Sequence, residues 1–86
     1  MALLCLHGPL TKLAGGSSQH HIDAVTVGEL LVGLERGHPE IAGWVLDERG
    51  RIRRHINVFV NGERGRETTP VAAEDRVEVL PAISGG

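Results

Sequence analysis

The chain has 86 residues, 41% of them hydrophobic, a formal net charge of -2 and a mean hydropathy of -0.05. That length admits one small domain that buries roughly 60–65% of its unfolded surface, and the composition excludes an intrinsically disordered chain. No apolar run approaches the ~18 residues of a membrane span, residues 1–6 are too short and lack the basic n-region of a signal peptide, and a lone cysteine, Cys5, leaves no internal disulfide and fits a reducing compartment. A cytoplasmic protein is expected. Trp44 and Phe59 are the only large aromatics, so the core must be aliphatic.

Residues 2–7 alternate as a strand, with Leu4 and Leu6 on one face and Leu3, Cys5 and His7 on the other. Gly8-Pro9 interrupts it, and residues 10–17 close on Ala14-Gly15-Gly16-Ser17, a loop signal. Residues 18–23 are polar and read as a short second strand paired with the first. Thr26-Val27-Gly28-Glu29 then matches a capping box, in which the threonine side chain accepts from the backbone N–H three residues on. Val27, Leu30, Leu31 and Leu34 recur at i, i+3, i+4 and i+7, one helical face. Gly37-His38-Pro39 stops the helix. Gly28 and Gly33 each weaken it by about 1 kcal/mol relative to alanine, so tertiary packing must hold it.

Residues 40–46 read as a short helical turn whose Ile41, Trp44 and Val45 cap the core, and Asp47-Glu48-Arg49-Gly50 as a turn. The best strand is His55–Val60, with Ile56, Val58 and Val60 on one face and Asn57 and Phe59 on the other. Asn61-Gly62 tolerates the positive φ of a type I′ hairpin turn, leading into a short charged strand over residues 63–67. Loops cover 68–70 and 72–75. A last strand, residues 76–80, puts Val77 and Val79 inward and ends at Pro81.

This order is β-β-α-β-β-β with one substantial helix, whose single apolar stripe can cover only one face of a sheet. The expectation is an α+β roll, a mixed β-sheet packed on one main α-helix with its first and last strands side by side in the centre: the β-grasp, or ubiquitin-like, fold. A ferredoxin-like fold would need a second full helix, and residues 68–75 are too short and proline-broken to supply it. Residues 1–81 form the expected domain and residues 82–86 a flexible tail ending at Gly85-Gly86, which has no Cβ and therefore needs only clearance in a partner's channel.

Arg49, Arg51, Arg53, Arg54, Arg64 and Arg66 cluster in one stretch. Nucleic-acid binding is not expected, because the whole chain is acidic and no aromatic stacking platform accompanies the arginines. A solvated turn region or a docking surface for an acidic protein are the two readings. His7, His20, His21, His38 and His55 show no metal-ligand spacing with Cys5 or one another, so no metal site is expected. Cys5 reads as a small buried hydrophobe. No nucleophile–base arrangement and no phosphate-cradling glycine loop is present.

The segments Thr26-Val27-Gly28-Glu29-Leu30-Leu31, Arg54-His55-Ile56-Asn57-Val58-Phe59-Val60-Asn61-Gly62, Thr69-Pro70-Val71 with Glu74-Asp75, and Val77-Glu78-Val79-Leu80-Pro81-Ala82-Ile83-Ser84-Gly85-Gly86, in this order, resemble the ThiS/MoaD family of ubiquitin-like sulfur carriers. The likeness covers essentially the whole chain after the first strand. Within that family it is similar to the CysO-type carriers of cysteine synthesis and to carriers of specialised thio-metabolites. Residues 63–70 look shorter than the family pattern, and Ser84 stands where a small apolar residue is frequent.

The resemblance implies a substrate protein, not an enzyme, with no bound cofactor. An E1-like adenylating enzyme would use ATP and Mg²⁺ to activate the Gly86 carboxylate, and a sulfur-donor protein would supply the sulfur of a thiocarboxylate. A sulfur-accepting biosynthetic enzyme would then receive it, in a cysteine, thiosugar, thiamine or molybdopterin type of pathway. A free α-carboxyl, pKa about 3.3–3.7, is ionised at neutral pH and needs no base on the carrier to attack a phosphate. Ala82, Ile83, Ser84 and Gly85 would thread into the partner, reaching at most about 17–18 Å from Pro81. Phe59, on the sheet face away from the helix, reads either as an apolar docking contact with Leu80 and Leu3 beside it and Arg54 and Arg64 at its rim, or as a side chain covered by a loop. The alternative is a ubiquitin-like modifier or interaction domain joined through Gly86 to lysine. The free protein is expected to be a monomer.

Overall fold

Alternation along the first strand sets the architecture. In the computed structural model, which describes residues 1–81, strand β1 (Ala2–Leu6) buries Ala2, Leu4 and Leu6 in the main core. It pairs antiparallel with β2 (Gln19–Ile22) on one side and parallel with β5 (Arg76–Pro81) on the other. Strand β3 (Ile56–Val60) runs antiparallel to β5 and to the two-residue β4 (Glu63–Arg64). The sheet order is therefore β2-β1-β5-β3-β4, with first and last strands adjacent in the centre. Covering one face of this mixed sheet is the helix α2 (Val27–Gly37), which makes the fold a β-grasp roll.

Helix α2 begins where its capping residues require. Thr26 is extended, and its Oγ1 accepts from the Glu29 backbone N–H at 3.2 Å. Two donors of the first turn are satisfied from a distant loop: Val27 N–H donates to Thr69 O at 2.9 Å, and Gly28 N–H to Glu67 O at 2.8 Å. A helix start leaves such donors without partners inside the helix, so residues 67–69 complete its N-terminus. Val27, Leu30, Leu31 and Leu34 are buried in one core cluster with Leu4, Val58, Val77 and Val79. Each fully buried aliphatic side chain contributes about 1.5–3 kcal/mol, which outweighs the helix's two interior glycines. Gly33 has its own packing role, because a Cβ there would come within 2.9 Å of Ile22 Cγ2 on β2.

Asn61 (φ 51°) and Gly62 (φ 87°) both occupy the left-handed region, as the β3–β4 hairpin turn demands. Asn61 also ties that turn to the start of β5. Its Nδ2 donates to Asp75 Oδ1 at 2.9 Å and its Oδ1 accepts from Arg76 N–H at 2.9 Å.

Four sequence expectations are corrected. Residues 10–13, expected as loop, form a one-turn helix, α1 (Leu10–Leu13), after Pro9, and Leu10 is buried. The strand expected over 63–67 has ladder pairing only at Glu63 and Arg64. Of the segment 40–46, only the 3₁₀ turn Pro39–Ile41 is helical; Ile41 and Val45 are buried, but Trp44 is 53% exposed and caps no core. Gly43 between them has φ 88°, which breaks the helical spacing and turns Trp44 outward. Leu3, expected beside Phe59, lies opposite Arg76 on the far side of β5 and is separated from Phe59 by that strand.

Candidate interaction site

The tail residues Ala82, Ile83, Ser84, Gly85 and Gly86 lie outside the described residues. What the structure describes is their point of departure. Strand β5 carries the chain through the middle of the sheet to Pro81, which lies opposite Ile56 of β3. On the β1 side, His7 N–H donates to Val79 O at 3.1 Å, and Gly8 abuts the proline ring, so that a Cβ on Gly8 would lie 3.5 Å from Pro81 Cγ. Side chains alternate across a strand. Leu80 accordingly belongs to the face away from α2 and Pro81 to the opposite side.

The outer face is patterned by register. Across one row stand Gln19, Cys5, Glu78, Phe59 and Arg64; in the next, Leu80 pairs with Asn57. Phe59 and Leu80 are thus diagonal neighbours, within reach of a shared contact, and both are half-buried. The Arg64 guanidinium carbon lies 5.5 Å from the Phe59 ring centroid, a cation–π contact at the sheet edge. Glu78 occupies the middle of the face. Its Oε1 is 3.3 Å from His7 Nε2, without hydrogen-bond geometry, and 3.9 Å from Arg76 Nε. Cys5, on this side of β1, is buried between its neighbours.

Arg54 is exposed in the turn before β3. It shares a shallow depression at the β3–β4 edge with Arg53, Arg64 and Arg66. Near it, Glu67 Oε2 accepts from Ile52 N–H at 2.8 Å, and that bond holds the Glu67 carboxyl below its ordinary range. Asp47, at the start of the arginine-rich turn, is likewise held low, first by the Arg51 N–H and also by the Arg49 N–H, both donating to its Oδ1. Asp75 is lowered by the Ala72 N–H and then by Asn61. These carboxylates pin loops and form no catalytic arrangement. Among the described residues, no group of three or more His, Cys, Asp or Glu side chains is placed to hold a metal ion, and no helix is long and apolar enough to cross a membrane.

Sequence reasoning missed an apolar groove on the other side of the tail's root. It is lined by Pro9, Leu10, Leu13, Trp44, Ile56 and Pro81 together with Lys12 and His55, and has a volume of about 340 Å³. The available signal was Gly43, which interrupts the spacing that would otherwise place Trp44 with Ile41 and Val45.

Fold and surface together define a small ubiquitin-like protein whose central strand β5 carries the described chain to Pro81. The chain belongs to the ThiS family, whose model matches residues 6–86. It is 38% identical over 83 residues to Small archaeal modifier protein 1 of Haloferax volcanii, covering 94% of this chain and 95% of that protein. It is 31% identical over 78 residues to the sulfur carrier protein CysO of Mycobacterium tuberculosis strain H37Rv, covering 84% of each. Among solved structures it is similar to a chain of the BexX/CysO complex of Amycolatopsis orientalis, with 28% identity, a TM-score of 0.89 and full coverage of both chains.

Proposed function

We propose that this protein is a sulfur carrier whose working group is the carboxylate of Gly86. The observation that carries the reading is the family match extending through residue 86, together with likeness to a named sulfur carrier over most of both chains. In the proposed sequence an E1-like enzyme binds the carrier with ATP and Mg²⁺. The carboxylate oxygen attacks the α-phosphorus and pyrophosphate leaves. Sulfur at the sulfide level, delivered by a donor protein, then attacks the acyl carbon, and AMP departs with the bonding electron pair. The resulting thiocarboxylate passes its sulfur to a biosynthetic enzyme. The carrier contributes an end without side chains at Gly85 and Gly86, a lead of Ala82, Ile83 and Ser84, and a docking surface of Phe59, Leu80, Arg64 and Arg54. It performs no catalysis itself.

A second reading is favoured by the relative named as a modifier: the same adenylate is attacked by a lysine ε-amine, giving an isopeptide. The two diverge only at the nucleophile. Intact-mass spectrometry of the protein incubated with the E1-like enzyme of its source organism, ATP, Mg²⁺ and sulfide distinguishes them. The carrier reading expects a gain equal to sulfur minus oxygen, localised to Gly86. Lysine adducts with no such species would replace it with the modifier reading. Lys12 is the chain's only lysine, so an isopeptide between two copies through a lysine would map there.

A further inference from the structure

We propose that the groove at the tail's root is a second docking surface, receiving an apolar side chain from the mouth of the channel that takes up residues 82–86. The partner's identity rests on the carrier reading above. The groove itself rests on independent observations. Trp44, the chain's sole tryptophan, is 53% exposed although the core lies beside it at Val45. Tryptophan is enriched among the few residues that dominate protein interfaces. Among the described residues the groove's exposed lining is almost wholly apolar, although Lys12 and His55 contribute to it. A small-molecule pocket needs converging polar groups to fix orientation, which this lining does not offer.

Its position selects the occupant. Pro81 is both the last described residue and one wall of the groove. The chain beyond it is five residues long, at most about 17–18 Å when extended. A protein that holds Gly86 in its own pocket must therefore bring its surface close to Pro81. Leu80 and Pro81 project to opposite sides of the sheet, so such a partner meets the outer face through Leu80 and the groove through Pro81. The lining supplies a charge preference as well. Lys12 lines the groove, and among the described residues no carboxylate does. The complementary surface is an aliphatic or aromatic side chain flanked by an acidic residue.

The test measures pyrophosphate exchange by the E1-like enzyme as a function of carrier concentration. Trp44→Ala is expected to raise the KM for the carrier roughly tenfold with kcat unchanged, the signature of lost docking. Its thermal midpoint should stay at the wild-type value because Trp44 fills no core. Trp44→Phe should restore much of the loss, and Lys12→Glu should raise KM with a dependence on salt. An unchanged KM for Trp44→Ala, with wild type active, would overturn the groove assignment alone. If that unchanged KM came with a shift of Trp44 emission on removing residues 82–86, the occupant would be the tail itself. A wild-type dimer abolished by Trp44→Ala would assign the groove to a second copy and overturn the proposal. Failure of wild type to be adenylated would overturn the carrier reading, and this partner with it.

Discussion

Asn61 shows how one side chain serves two levels of the structure. Its backbone takes the left-handed conformation the hairpin needs, and its amide clamps the carboxylate of Asp75 at the start of the central strand. Asp75, Asp47 and Glu67 share a trait: each accepts backbone N–H bonds that favour the charged form, and each folded-state pKa lies below its ordinary value of 3.8 for the aspartates and 4.5 for the glutamate. The unfolded chain then binds protons more readily than the folded one. The stability these groups supply is present above the ordinary carboxylate range and is lost as pH falls through it toward the lower folded values. Calorimetric midpoints should drop as pH is lowered from about 5 to 3, and Glu67→Gln should flatten part of that drop. A midpoint independent of pH over that window would refute the assignment.

Helix α2 is held at its start by the carbonyls of Glu67 and Thr69, far downstream in the chain, and its glycines divide accordingly. A Cβ at Gly28 would stand 3.0 Å from Glu67 O, the carbonyl that accepts the Gly28 N–H, whereas a Cβ at Gly37 would meet nothing within 4 Å. Alanine is better than glycine by about 1 kcal/mol inside a helix. Gly28→Ala should nevertheless destabilise the protein, because backbone must shift to admit it. Gly37→Ala, at the helix end, should stabilise it by less than about 1 kcal/mol. Urea midpoints of the two variants test the contrast, and the same sign for both would defeat it. The capping box, the apolar stripe and the hairpin turn were all legible in the sequence, since each depends on residues within a few positions. The loop cap on Val27 and Gly28 was not, because its partners at Glu67 and Thr69 come near only after the sheet closes.

At the scale of the whole molecule, the core holds the described chain together as far as β5. Among the described residues, the buried cluster runs from β1 through α2 to Val79 of β5. We propose that deleting Gly86 abolishes adenylation while leaving the thermal midpoint nearly unchanged, as expected of a terminal residue that acts through its carboxylate and not through packing. Paired pyrophosphate-exchange and calorimetric measurements check this, and a large fall in midpoint would count against a tail independent of the domain.

The sequence by itself determined the elements with a clear period or a local stop: β1, α2, β3, the Asn61-Gly62 turn and β5. Because a lone helix can cover only one sheet face, it determined the roll and the central pairing of first and last strands as well. Tertiary structure alone decided which side chains became neighbours. Register joined Phe59 to Leu80 and Arg64 and set Leu3 apart from them. The left-handed Gly43 turned Trp44 out of the core, and the short helix after Pro9 brought Leu10 and Leu13 to face it beside Pro81. Periodicity reports which face a residue occupies within its own element; cross-strand register and the path of irregular segments decide what that face meets.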